Sequence, residues 1–136
     1  MVTKIAHVGI ATHSVEDAAR FYELLGLEVD SVEVHADQKV KAAFLRVGDS
    51  ALELMEATDD ESPVARFIDK RGEGIHHITF EVDDLENELG RLRAENVRLI
   101  NEEPVKGVEG RLVAFVHPGS AGGVLVELTQ STKGGR

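Results

Sequence analysis

The sequence predicts an α+β fold, built from two tandem βαβββ modules whose strands form a curled, partly open sheet. Three observations point there. The order strand, helix, three strands occurs twice along 136 residues. The copies also match in residues: His7-Val8-Gly9-Ile10-Ala11 aligns with His77-Ile78-Thr79-Phe80-Glu81 at an offset of 70, and Ala43-Phe44 with Ala114-Phe115 at 71. Leu52-Glu53-Leu54 aligns with Val126-Glu127-Leu128 at 74, and the three extra residues fall in Gly119-Ser120-Ala121-Gly122-Gly123, a turn where insertion costs little.

Each element has a local reason. Lys4 to Ala11 alternates as a strand, with Val8 and Ile10 on one face and Ile5, His7 and Gly9 on the other. Ser14 is a helix N-cap with Asp17 three residues on, the stripe Ala18, Phe21, Tyr22, Leu25 follows, and Gly26 ends it. Strands are expected at Leu27 to Glu33, Val40 to Val47 and Ala51 to Met55, with Gly48-Asp49 as the turn between the last two. Ser62, Pro63 and the closing Gly72 bound a linking helix. His76 to Val82 is the next strand, and Asp83 or Asp84 caps a helix carrying Leu85, Leu89 and Leu92, with Gly90 costing about 1 kcal/mol in its middle. Strands recur at Val97 to Ile100, Leu112 to His117 and Val124 to Thr129. Residues 1–136 thus read as a single domain: a first module over 4–56, a linking helical segment over 57–75, a second module over 76–130, and a flexible tail over 131–136.

Composition narrows the chemistry. A hydrophobic share of 42% with 29% charged residues is an ordinary globular balance. The formal charge of −10 argues against nucleic acid, whose phosphates are held by clustered Lys and Arg. With no Cys there are no disulfides, thiolate metal sites or cysteine nucleophiles, and a reducing, cytoplasmic setting is expected. No apolar run approaches the ~20 residues of a membrane span, and no signal peptide is visible before the first strand.

The repeat selects candidate residues. Each first strand begins with His, and each last strand carries Glu on the face opposite its apolar neighbours. If the modules pair, His7, Glu53, His77 and Glu127 point to a common trough. Two imidazoles and two carboxylates suit a divalent Co, Ni, Mn, Fe or Zn ion, and the two anionic charges balance its +2. A single strand His or Glu is ordinarily structural or solvated, but chance does not place four at equivalent positions. His76 faces away from His77 and reads as structural, while His13, His35 and His117 have no partner in the repeat and read as loop or surface residues.

The duplicated module with inward His and Glu resembles the vicinal oxygen chelate superfamily, whose members hold a metal and present it to two adjacent substrate oxygens. Within it, five stretches resemble the methylmalonyl-CoA epimerase family: Asp60 to Phe67, Gly72 to Ile78, Glu81 to Asp84, Asn101 to Pro104, and Phe115 to Pro118 running into Gly122 to Leu128. The resemblance implies His7, His77 and Glu127 as metal ligands, with Glu53 fourth where some epimerases have Gln. It implies one divalent ion, with cobalt expected, an acyl-CoA substrate, and a homodimer. The reaction implied is epimerisation at C2 of methylmalonyl-CoA, through a metal-chelated thioester enolate; Glu127 is the expected acid/base group on one face, and the repeat symmetry, with Ala42 where some epimerases have a second Glu, makes Glu53 the one expected on the other.

Two departures stand out. Ala42 occupies the position of a second catalytic Glu in some epimerases, and Gly119 follows His117-Pro118 where the family usually has Lys. Arg66, Lys70, Arg71, Lys106 and Arg111 are candidate phosphate contacts that read more simply as surface charges. Two rival readings share the fold. A glyoxalase I-type lactoylglutathione lyase uses the same ligand set, and a non-catalytic ligand-sequestering protein prefers aromatic walls, for which five Phe and one Tyr are few.

Overall fold

Local chemistry sets the ends of three helices in the computed structural model, which describes residues 1–107 and 110–130. The expected tail at 131–136 lies outside them. Helix α1 (Val15–Leu24) starts where Ser14 accepts a hydrogen bond from Asp17 N. Helix α2 (Pro63–Arg71) starts where Ser62 accepts from Val64 N and stops at Gly72, whose φ of 79° is the left-handed conformation glycine adopts freely. Helix α3 (Leu85–Ala94) is capped by Asp84, which accepts from Asn87 N, so Asp84 rather than Asp83 is the cap.

The strands are β1 (Val2–Ala11), β2 (Val29–His35), β3 (Val40–Val47), β4 (Ser50–Ala57), β5 (Gly74–Val82), β6 (Val105–Lys106), β7 (Leu112–Val116) and β8 (Leu125–Gln130). They run in the order β2-β3-β4-β1-β5-β8-β7-β6 in a mixed sheet with β2 and β6 at its edges. No ladder joins those two edge strands among the described residues.

The chain divides into two units, His7–His76 and Met1–Ala6 with His77–Arg136, so β1 passes from one to the other at Ala6. In the unit His7–His76, β4 pairs in parallel with β1 and antiparallel with β3, which pairs antiparallel with β2. The turn Gly48-Asp49 joins β3 to β4, with Val47 and Ser50 paired across it. One sheet face packs on α1 through Val15, Ala19, Ala43, Leu45 and Leu54. The other packs on α2 through Ala11, Val40, Ala42, Met55 and Val64, and alternation puts His7 and Glu53 on this second face.

In the other unit, β8 pairs in parallel with β5 and antiparallel with β7. Its apolar face carries Val82, Ala114, Val116 and Leu128 against Leu85 and Leu89 of α3. Leu85 and Leu89 are almost wholly enclosed, and burial of each contributes about 2 kcal/mol. His77, Thr79 and Glu127 alternate onto the opposite face.

Several boundaries differ from expectation. Val97 to Ile100 is not a strand; Leu99 alone bridges to Val116, because the Asn101 side chain accepts from Phe115 N and the Ser120 hydroxyl from Arg98 N. Side chains thereby take bonds that a ladder would use. Strand β6 forms at Val105–Lys106 instead, against Val113 and Leu112. Strand β2 begins at Val29 rather than Leu27, since Leu27 N bonds back to Tyr22 O across Gly26.

Candidate functional site

Each unit builds one imidazole–carboxylate pair by the same register. In the parallel β1–β4 ladder Gly9 lies opposite Glu53, so both point to one face, and His7, two residues earlier, points there too. His7 Nε2 stands 3.2 Å from Glu53 Oε1. Phe44 lies opposite Glu53 on β3, and its ring meets the His7 imidazole edge-on, at 5.9 Å between centroids.

In the parallel β5–β8 ladder Thr79 lies opposite Glu127, with His77 two residues before it. His77 Nε2 stands 3.9 Å from Glu127 Oε1, and Phe115 lies opposite Glu127 on β7. The offsets of 70 and 74 read from the sequence therefore map onto the same ladder geometry in each unit. One feature breaks the match. The Thr79 hydroxyl donates a 2.7 Å hydrogen bond to Glu127 Oε1, whereas Gly9 has no side chain with which to make it.

Burial gives these groups their chemical weight. His77 is 6% exposed and Thr79 1%. The Glu53 and Glu127 side chains retain only 14% and 16% of their exposure, so their charges are held in a poorly solvated setting. An imidazole nitrogen beside a carboxylate oxygen in each unit is a donor set that fits a first-row divalent ion.

The remaining histidines have other surroundings. The His76 ring packs on Phe67, 4.9 Å between centroids, in line with a structural role. His35 ends β2 rather than lying in a loop, and its Nε2 is 3.3 Å from Glu33 Oε1. His117 accepts from Gly119 N through Nδ1 and caps the 3-10 turn Pro118–Ser120. Among the candidate phosphate contacts, Arg66 donates to Glu61 O, Arg71 stacks over Phe67, and Arg111 reaches Glu81. Sequence reasoning passed over Thr79 as a site residue, although its alignment with Gly9 was the available signal. A cleft of about 590 Å³ lies beside α1, lined by residues such as Thr12, His13, Phe21, Tyr22 and Glu73.

The chain as a whole is similar to several known proteins. The family described as Glyoxalase/Bleomycin resistance protein/Dioxygenase superfamily matches residues 6–115. An uncharacterized protein of Bacillus subtilis (strain 168), YqjC, is 41% identical over 130 residues, spanning 95% of this chain and 93% of that protein. The mitochondrial methylmalonyl-CoA epimerase of Dictyostelium discoideum is 37% identical over 131 residues, 95% of this chain and 79% of the relative. A solved methylmalonyl-CoA epimerase in complex with methylmalonyl-CoA and NH4+ superposes with a TM-score of 0.88 at 36% identity, covering 98% of this chain and 97% of that one.

Proposed function

Because the chain belongs to the glyoxalase/bleomycin resistance protein/dioxygenase superfamily and, within it, to the methylmalonyl-CoA epimerase family, we propose that it inverts C2 of methylmalonyl-CoA with the help of one divalent ion. His7, Glu53, His77 and Glu127 would hold that ion together. When bound, it supplies positive charge beside the thioester carbonyl and the free carboxylate of the substrate, where negative charge develops as C2 is deprotonated.

The chain's own groups do the rest. A proton leaves C2 for a carboxylate on one face, and the C–H electron pair passes into a planar enolate. A proton then returns to C2 from the opposite face, so composition is unchanged and configuration inverted. Glu127 serves one face and Glu53 the other. Ala42 offers no such group, which supports the assignment to Glu53. Phe44 and Phe115 stand opposite Glu53 and Glu127 in their respective ladders.

The observation that carries this reading is the repeated His–Glu pair, set on one face of each unit by the same parallel register. The test is deuterium uptake at C2 of methylmalonyl-CoA in D2O, with protein stripped of metal and then resupplied with Co. Uptake restored by the ion is expected. Formation of lactoylglutathione from methylglyoxal and glutathione, without C2 exchange, would replace the reading with a glyoxalase I-type activity; binding without either turnover would replace it with ligand sequestration. Comparing Co, Ni, Mn, Zn and Fe in the same assay identifies the working metal, for which cobalt is the choice. The family resemblance also supports a homodimer, tested by light scattering, and the lack of Cys suits a reducing, cytoplasmic setting, tested by cell fractionation.

A further inference from the structure

The two imidazole–carboxylate pairs are alike in register and unlike in one side chain. Glu127 lies opposite Thr79 and receives its hydroxyl hydrogen at 2.7 Å on Oε1. Glu53 lies opposite Gly9, which has no side chain. Thr79 is 1% exposed, so neither partner of the bond gains much from solvent, and Thr is stiff at χ1. A buried hydroxyl with a charged acceptor forms a bond of about twice the strength of a neutral one.

We infer that Thr79 is a positioning residue that acts through Glu127. Its hydrogen bond fixes the plane of the Glu127 carboxylate relative to His77 and commits one lone pair of Oε1. The lone pairs left over are thereby aimed in one direction.

Thr79 is enclosed in a unit whose face is otherwise satisfied, and Val has nearly its shape without the hydroxyl, so Thr79→Val removes the donor with little change in volume. Thr79→Ser keeps the donor and loses a methyl group. The inference rests on the proposed ion and reaction, and the experiment separates the two. Co is titrated calorimetrically into stripped wild-type protein, Thr79→Val and Thr79→Ser, each first shown to unfold cooperatively. Thr79→Val is expected to bind the ion about 10-fold or more weakly, the scale for losing a partner that orients a metal ligand, with Thr79→Ser near wild type. In turnover with saturating Co, kcat of Thr79→Val falls while KM is held, and Ser restores it. Equal affinity and equal kcat in Thr79→Val and wild type overturn the positioning role alone. A wild-type protein that takes up no divalent ion overturns the ion-based reading beneath it as well. If Thr79→Val fails to fold, Thr79→Ser and Thr79→Ala decide: affinity that follows the hydroxyl supports the inference, and affinity that follows side-chain volume sinks it.

Discussion

Glu33 and Ala42 face each other directly across β2 and β3. Ala42 is wholly buried and packs with Ala11, Val40, Met55 and Val64, whereas Glu33 at the edge of the sheet pairs with His35. The position where some epimerases carry a catalytic carboxylate is therefore filled here by the packing of α2 on the sheet. A carboxylate at residue 42 would enter a closed apolar cluster.

Ala42→Glu is accordingly expected to destabilise the fold by about 2–4 kcal/mol, through overpacking and the burial of an unpaired acid. Urea unfolding measures it. Wild-type stability in the variant would mean that the cluster opens to solvent.

Glu53→Gln and Glu127→Gln separate ligand from base. Each amide keeps an oxygen donor and loses the ability to take a proton. A fall in kcat of about 100-fold or more is expected for both, the usual scale for removing a general base. Glu53→Gln with unchanged kcat would leave Glu53 as a ligand and require another proton acceptor on its face.

The pH dependence of stability has a defined source on α1. Lys41 Nζ donates to Glu16 Oε2 at 2.6 Å, and this bond first of all holds the Glu16 carboxyl below its ordinary 4.5 and the Lys41 ammonium above its ordinary 10.5. The charge of Glu56 adds to the second effect. A depressed acid stabilises the fold above its unfolded value and loses that contribution as pH falls through the lower folded value; a raised base loses its contribution as pH rises through the higher one. The pair thus contributes fully between pH 4.5 and 10.5 and fails at both extremes. Glu16→Gln should flatten the acid limb of a stability–pH curve below pH 4.5 and weaken the alkaline limb. An unchanged acid limb in the variant would show that the pair is solvent-screened throughout.

Two glycines take opposite signs. At Gly90 inside α3, an added Cβ would meet Arg93 Nη2 at 3.8 Å, an ordinary contact. Gly90→Ala should therefore stabilise by about 1 kcal/mol. At Gly119 the added Cβ would lie 3.0 Å from His117 Nδ1, the atom that accepts the Gly119 N–H. Gly119→Ala must push the ring away and weaken its own cap, so it should show no gain in thermal unfolding.

Much of this protein is legible in its residues alone, because a duplication shows twice what a single copy would show once. His7 with His77 and Glu53 with Glu127 follow from spacing and alternation, as do the caps at Ser14, Ser62 and Gly72. Those features are local: a cap is decided within four residues, and a strand's face by its period of two. What lies between chain segments far apart was decided by tertiary packing. The sequence places Thr79 on a strand beside His77, but only the parallel register of β5 on β8 brings its hydroxyl to Glu127, 48 residues away. The same holds for Leu99, whose expected strand shrinks to a single bridge once Asn101 and Ser120 take the backbone bonds. Alternation tells a side chain which way to point; it cannot tell which partner will be waiting there, since that depends on how distant strands slide into register as their apolar faces close.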